Sequence, residues 1–156
     1  MDPASSTVSS RLVVFMLGNE EYALPIHTVQ EVIRFQQPRT VTSSDPTLLG
    51  VINLRGRIVP VHDIRSQLGI DHQPLPSADV GDDDHGHKIV LVSIDDRVAG
   101  VVVDDVSEVL TVDRGEFEDL PASGSTIVDG VVKAGDRLIV LLDPQALAAL
   151  AEGEGA

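Results

Sequence analysis

The chain has no cysteine, which removes disulfide staples and thiol chemistry together. It has only two lysines, Lys88 and Lys133, and a formal net charge of −14 over 156 residues. Proteins that bind nucleic acid through phosphates displace counterions with basic surface, so that class is disfavoured. No apolar run approaches the roughly 18–20 residues that span a bilayer. The first ten residues hold no basic segment followed by an apolar one, so no secretory signal is expected, and a cytoplasmic location is the default. Sustained helical periodicity is nearly absent; the spacing predicts only brief helical stretches at 28–33, 46–49, 64–68 and 144–151. Enzymatic signatures are missing as well. No serine sits in a Gly-x-Ser-x-Gly elbow, and there is no Gly-x-x-x-x-Gly-Lys-Ser/Thr loop to cradle a phosphate.

What is present favours β-structure. Valine dominates the apolar set, and β-branched residues fit a pleated surface. Runs such as Leu12–Leu17, Ile89–Ile94, Val98–Val103 and Leu138–Leu142 are short and punctuated by Gly, Asp or Pro, as strands are. The most informative stretch is Gly50–Arg65, where Arg55 and Arg57 flank Gly56 between two apolar runs. Val51, Ile52 and Leu54 predict one strand, and Ile58, Val59 and Val61 a second, with Gly56 supplying the positive φ of a hairpin turn. Pro60 cannot donate to a ladder and predicts an edge strand or a bulge. Two cations at a rigid turn of an acidic protein suit the binding of a partner.

The chain also resembles itself. At an offset of 77, Val14–Leu17 matches Leu91–Ile94, and Val29-Gln30-Glu31-Val32 matches Val106-Ser107-Glu108-Val109. At an offset of 80, Gly50-Val51-Ile52 matches Gly130-Val131-Val132, Arg57-Ile58-Val59 matches Arg137-Leu138-Ile139, and Asp63 matches Asp143. This predicts two copies of a small β-barrel, about 11–69 and 88–150, which gain by burying apolar surface against each other. Residues 70–87, rich in Pro, Gly and Asp, are expected to form an acidic loop. Residues 1–10 and 152–156 are expected to be flexible tails, and 112–126 a loop inside the second copy.

Together the hairpin and the repeat resemble the CheW-like family of chemotaxis coupling proteins. The resemblance spans about residues 11–150. It rests on Phe15-x-Leu17-Gly18-x-Glu20-x-Tyr22, Ile26-x-x-Val29-Gln30-Glu31-Val32, Gly50-Val51-Ile52-Asn53-Leu54-Arg55-Gly56, Ile58-Val59-Pro60-Val61-x-Asp63 and Gly100-Val101-Val102-Val103-Asp104-x-Val106-x-Glu108-Val109-Leu110. It implies a mainly all-β fold of two SH3-like five-stranded barrel lobes about a pseudo-twofold axis, with a few short helices. The implied activity is that of a non-enzymatic adaptor without cofactor or metal, recruited to membrane-associated receptor arrays. Such an adaptor couples the cytoplasmic tips of methyl-accepting chemoreceptors to the regulatory domain of the histidine kinase CheA. With no stretch left for a kinase core or a receiver domain, a stand-alone coupling protein is expected. A CheW-like role in another chemosensory pathway, such as pilus motility, remains an alternative.

By the same resemblance, Val29, Glu31, Gly50, Arg55, Ile58, Val106 and Val109 are candidates for receptor binding. A guanidinium at position 55 offers forked bonds to carboxylates or carbonyls, although an internal ion pair with one of the chain's own acids would explain it too. Val106 and Val109 are equally explained as core, and Glu31 as a solvated helix face. Gly18, Asn19, Glu20 and Glu21, with Thr40, Val41 and Thr42, are candidates for the kinase-facing surface, and plain loop is their alternative. Asp63 and Asp143, with the tract Asp82-Asp83-Asp84-His85-Gly86-His87, allow a small metal-dependent enzyme as a further reading. Helix capping is the simpler account of both aspartates, since Pro144 follows Asp143 as it would at a first helical position. No partners are evident for His27 and His62.

A carboxylate-rich surface with few lysines suits a saline cytoplasm, where screening shortens the reach of repulsion. The expected outcome is a melting temperature that climbs as salt is added; full folding at low ionic strength would contradict salt adaptation.

Overall fold

The computed structural model describes residues 9–70, 87–118 and 127–153. Among these residues it forms eleven strands: β1 (Ser9–Leu17), β2 (Glu20–Pro25), β3 (Val29–Arg34), β4 (Leu48–Leu54), β5 (Arg57–His62), β6 (Lys88–Ile94), β7 (Arg97–Val103), β8 (Asp105–Asp113), β9 (Phe117–Glu118), β10 (Val128–Ala134) and β11 (Arg137–Leu142). One α-helix, α1 (Pro144–Gly153), follows, and short 3-10 turns lie at Ile26–Thr28, Ser66–Leu68 and Arg114–Glu116.

The strands form two sheets, ordered β3-β6-β7-β5-β4 (lobe I) and β8-β1-β2-β11-β10-β9 (lobe II). Repeat-related strands (β1 with β6, β2 with β7, β3 with β8, β4 with β10, β5 with β11) occupy equivalent places in the two orders. These are the two SH3-like lobes related by a pseudo-twofold axis. Even the irregularities repeat: bulges lie beside Gln30 in β3 and Ser107 in β8, and beside Leu49 in β4 and Asp129 in β10.

The lobes do not follow the expected division into 11–69 and 88–150. β1 and β2 leave the first copy to pair with β8 and β11 of the second. β6 and β7 leave the second copy to pair with β3 and β5 of the first. Lobe I is therefore continuous, from β3 through β7, and is inserted between β2 and β8 of lobe II. The chain crosses at Ile26–Thr28 and again at Asp104. At the second crossing the Asp104 amide donates to the Met16 carbonyl at 2.9 Å, and the Gly18 amide donates to Asp104 Oδ2 at 2.8 Å.

This exchange gives the central strands two buried faces. Ile89, Leu91, Val98 and Val102 fill the lobe I interior with Ile52, Val59 and Val61. Leu12, Val14 and Ala23 fill lobe II with Val112, Val132, Ile139 and Leu141. The alternate residues Phe15, Leu17, Tyr22, Leu24, Val90, Val92, Val101 and Val103 meet in a third core between the lobes, joined by Ile64, Ile127, Leu142 and Leu147. Such burial contributes about 1.5–3 kcal/mol per large apolar side chain. Helix α1 follows β11 of lobe II and packs against β6 and β7 of lobe I. Its start is capped by Asp143 Oδ1, which accepts from the Gln145 amide at 2.9 Å.

Local expectations fared unevenly. The helix predicted at 144–151 is α1, and the one at 64–68 shrinks to a single 3-10 turn. Of the stretch 28–33, Thr28 ends a 3-10 turn and the rest is strand β3 rather than helix, and 46–49 is a turn leading into β4. The stretch 112–118 is the end of β8, a 3-10 turn and β9, not loop. Pro60 lies in an interior strand, since β5 runs between β4 and β7. It is tolerated because the ladder with β7 involves only Val61 and His62. Most of the expected acidic loop and of both tails falls outside the described residues, but Ser9 and Ser10 belong to β1 and residues 152–153 to α1 rather than to tails.

Because each sheet draws strands from both copies, residues 1–70 and 88–156 expressed separately should each lack a cooperative thermal transition by circular dichroism. A cooperative melt of either half alone would refute the interleaving.

Candidate partner-binding site

The β4–β5 hairpin closes with a two-residue turn in which both central residues have positive φ, Arg55 at 52° and Gly56 at 88°. That is the type I′ turn whose twist suits a hairpin. The Gly56 amide is held by Asn53 Oδ1 at 2.8 Å. Arg55 thus adopts a conformation that costs a side-chain-bearing residue of order 1 kcal/mol or more, and its guanidinium projects from a fixed point. There it donates to Glu31 Oε1 on β3, with the arginine side chain 66% exposed. The expected internal ion pair and the expected site residue are the same group, and Glu31 is on a strand, not a helix face.

Ile58 lies beside the hairpin tip at 60% exposure, and Val32 on β3 is also exposed. Val29 is half-buried and packs against the inter-lobe core. Gly50 offers no surface: it is buried, and a Cβ there would lie 2.1 Å from the Arg39 carbonyl oxygen. Its role is to let β4 approach Arg39, whose backbone exchanges two hydrogen bonds with Val51. Val106 and Val109 lie on β8 of the other lobe; Val106 packs on the inter-lobe core, while Val109 is 48% exposed. The receptor candidates therefore divide between β3, β4 and β5 of lobe I and β8 of lobe II.

The kinase candidates do not form one patch within a lobe. Gly18, Asn19, Glu20 and Glu21 belong to the β1–β2 turn and β2 of lobe II. Thr40, Val41 and Thr42 are exposed on the connection between β3 and β4 of lobe I.

Lobe II carries its own charged cluster. Arg137 donates from Nε and Nη2 to Glu21 at 3.1 and 2.7 Å, and from Nη2 to Glu108 at 2.5 Å. The Arg137 hydrogen bond holds the Glu21 carboxyl below its ordinary range, outweighing the burial that would raise it. Leu138 is exposed beside Arg137 as Ile58 is beside Arg57. The offset of 80 that links the two arginines would have found this pair of apolar residues in the sequence, and the offset of 77 links Val32 to Val109.

The aspartates proposed as a carboxylate pair are engaged locally in different lobes, Asp63 after β5 and Asp143 after β11. Asp143 caps α1. Asp63 binds the buried Arg65 side chain, accepting from Nε at 2.9 Å and Nη2 at 2.7 Å. His62, expected to lack partners, is buried in contact with Thr47 Oγ1 at 2.8 Å. The Thr47 hydroxyl donates to Asp45 Oδ1 at 2.8 Å, so it accepts from His62 Nδ1–H. Of the metal-like tract, 82–86 lies outside the described residues, and His87 Nε2 sits 3.5 Å from Asp104 Oδ1. Among the described residues no cluster of three metal-binding side chains forms, and no helix is long and apolar enough to cross a membrane.

The fold thus presents two pseudo-symmetric lobes, a charged hairpin tip and exposed apolar residues on β3, β5, β8 and β11. The family model "CheW-like domain" matches residues 11–152. The chain belongs to this family. Among CheW-like relatives, the chemotaxis protein CheW of Bacillus subtilis is 30% identical over 148 residues, covering 92% of this chain and 90% of that protein. The chemotaxis protein CheW of Klebsiella aerogenes is 31% identical over 151 residues, covering 92% and 84%. The crystal structure of the scaffolding protein TtCheW from Thermoanaerobacter tengcongensis matches with a TM-score of 0.76 at 30% identity, over 87% of this chain and 90% of that one.

Glu21 has a depressed folded-state pKa, so its pairing stabilises the protein above the ordinary carboxylate pKa and is lost as pH falls through the lowered value. Glu21→Gln should lower the melting temperature at pH 7 by an amount equivalent to under about 1 kcal/mol, screened by solvent as partly exposed pairs are. The difference from wild type should shrink as pH falls below the ordinary carboxylate range and vanish once pH passes below the lowered Glu21 pKa. A gap that persists at low pH would exclude the ion pair as its source.

Proposed function

We propose that this protein is a non-enzymatic chemotaxis adaptor that joins the cytoplasmic tips of methyl-accepting chemoreceptors to the histidine kinase CheA. In this reading it works in the cytoplasm, at membrane-associated receptor arrays, and performs no chemistry of its own. The observation that carries it is the Arg55–Glu31 pair on a conformationally fixed hairpin, in a chain of the CheW-like family. Glu31 occupies part of the guanidinium and orients the rest, leaving N–H groups for carbonyl or carboxylate oxygens of a docked helix. Ile58, Val29, Val106 and Val109 offer apolar area to the same helix, as grooves for amphipathic helices do. Gly50 acts indirectly, by setting the register of β4. The kinase's related two-lobed domain would meet Gly18–Glu21 on lobe II and Thr40–Thr42 on lobe I as two separate contacts.

Arg55→Glu should weaken binding of a chemoreceptor cytoplasmic fragment at least ten-fold in calorimetry, with the melting temperature nearly unchanged because the side chain is exposed. The exchange Glu31→Arg/Arg55→Glu restores the internal pair but should not restore binding. Wild-type affinity in both variants would remove this surface from receptor coupling.

A further inference from the structure

The pseudo-twofold axis supplies an internal comparison of the two barrel ends. In lobe II, Arg137 is saturated by the carboxylates of Glu21 and Glu108. Its counterpart in lobe I is Arg57, at the same place on β5. Both of the acids that would saturate Arg57 are missing or diverted. The place of Glu21 is taken by Val98, which is buried in the lobe I core. The place of Glu108 is taken by Glu31, but its carboxylate receives Arg55, and lobe II has Gly135 where lobe I has Arg55. Arg57 is exposed and donates from Nη2 to the backbone carbonyl of Asp96 at 2.5 Å. Among the described residues no carboxylate lies within ion-pair distance of its guanidinium. At the lobe I end the Arg57 guanidinium is therefore held by a backbone carbonyl of the β6–β7 turn, whose Asp95 and Asp96 make no ion pair with it, whereas at the lobe II end Arg137 is held by two carboxylates.

We infer that Arg57 is the receptor for a carboxylate supplied by the docked partner, an acidic side chain on the chemoreceptor helix placed beside Ile58. The inference rests on the adaptor reading above and sharpens it. Arg55 is already neutralised by Glu31, so it serves as an oriented donor, and the cation available to a partner's acid is Arg57. Arg137 shows the occupied geometry, with one carboxylate gripped by Nε and Nη2 at 2.7–3.1 Å. The Asp96 carbonyl fixes the guanidinium without cancelling its charge, which pre-organises it for a charged partner. On a chain of net charge −14, such a local cation favours the approach of an acidic segment at this point.

The test is calorimetric titration of the full chain with a chemoreceptor cytoplasmic hairpin fragment at low and moderate salt. Arg57→Ala should weaken binding about five-fold, the scale of a partly exposed ion pair, and should reduce the salt dependence of the affinity. Arg57→Gln keeps a donor for the Asp96 carbonyl and removes only the charge, so it should lose as much. Arg57→Lys should recover part of the affinity, and Arg11→Ala, an equal charge loss on lobe II, none of the effect. Wild-type affinity in Arg57→Gln would overturn the inference by making Arg57 a purely structural residue. Loss of binding in Arg55→Glu with no change in Arg57→Ala would overturn it while leaving the adaptor reading intact; no effect from either would overturn both.

Discussion

The apolar layer between the lobes is the constraint on which the rest depends. Phe15, Leu17, Tyr22 and Leu24 from β1 and β2 meet Val90, Val92, Val101 and Val103 from β6 and β7. These strands also fill the barrel interiors with their alternate side chains, so each is buried on both faces. A half-size barrel of this kind buries too little apolar surface to be secure alone, and the shared layer supplies the remainder. Exchange of β1–β2 and β6–β7 between the copies locks the arrangement further, because neither sheet is complete without strands from both copies. Asp104 sits where the chain crosses back and ties β8's entry to the β1–β2 turn.

Once the lobes are held in that relation, their outer ends become equivalent positions with different chemistry. The equivalent exposed apolar residues are Ile58 and Leu138, and Val32 and Val109. The charges do not follow the symmetry. Lobe II closes its arginine inside a pair of acids, whereas in lobe I Glu31 pairs with a hairpin arginine that the other copy lacks. A duplicated fold thus yields one end that is electrostatically complete and one that still has a cation to offer. This asymmetry distinguishes the two ends without altering the scaffold.

Several features were legible in the residues. The Asn53–Arg57 turn was readable because a glycine between alternating apolar runs has few other uses, and Asp143-Pro144 announced a helix start. The misreadings have physical causes. Val29, Val32 and Ile33 are spaced as on a helix face, but the bulge beside Gln30 shifts the phase of a strand and produces the same spacing. Pro60 suggested an edge because a ladder donor was missing, yet the parallel ladder begins one residue later. Gly50 looked like part of a surface because it accompanies the hairpin motif, whereas its missing side chain is required by the Arg39 carbonyl pressed against it. Nothing local marked His62 as buried, since its partners Thr47 and Asp45 come from the preceding connection.

By itself the sequence determined the β-rich duplication, the hairpin, and Arg55, whose place the other copy fills with Gly135. These are encoded in near neighbours, in alternation with period two, in glycine's access to positive φ, and in the repeated offsets. Which strands pair was decided only by the tertiary structure. A barrel closed by a copy's own β1–β2 or by the other copy's equivalent strands buries the same alternating faces, so the pattern cannot choose between them. The fate of each arginine was decided there as well. Whether a guanidinium is spent within the chain or left for a partner depends on which carboxylate the fold brings within a few ångströms, across separations that no local motif records.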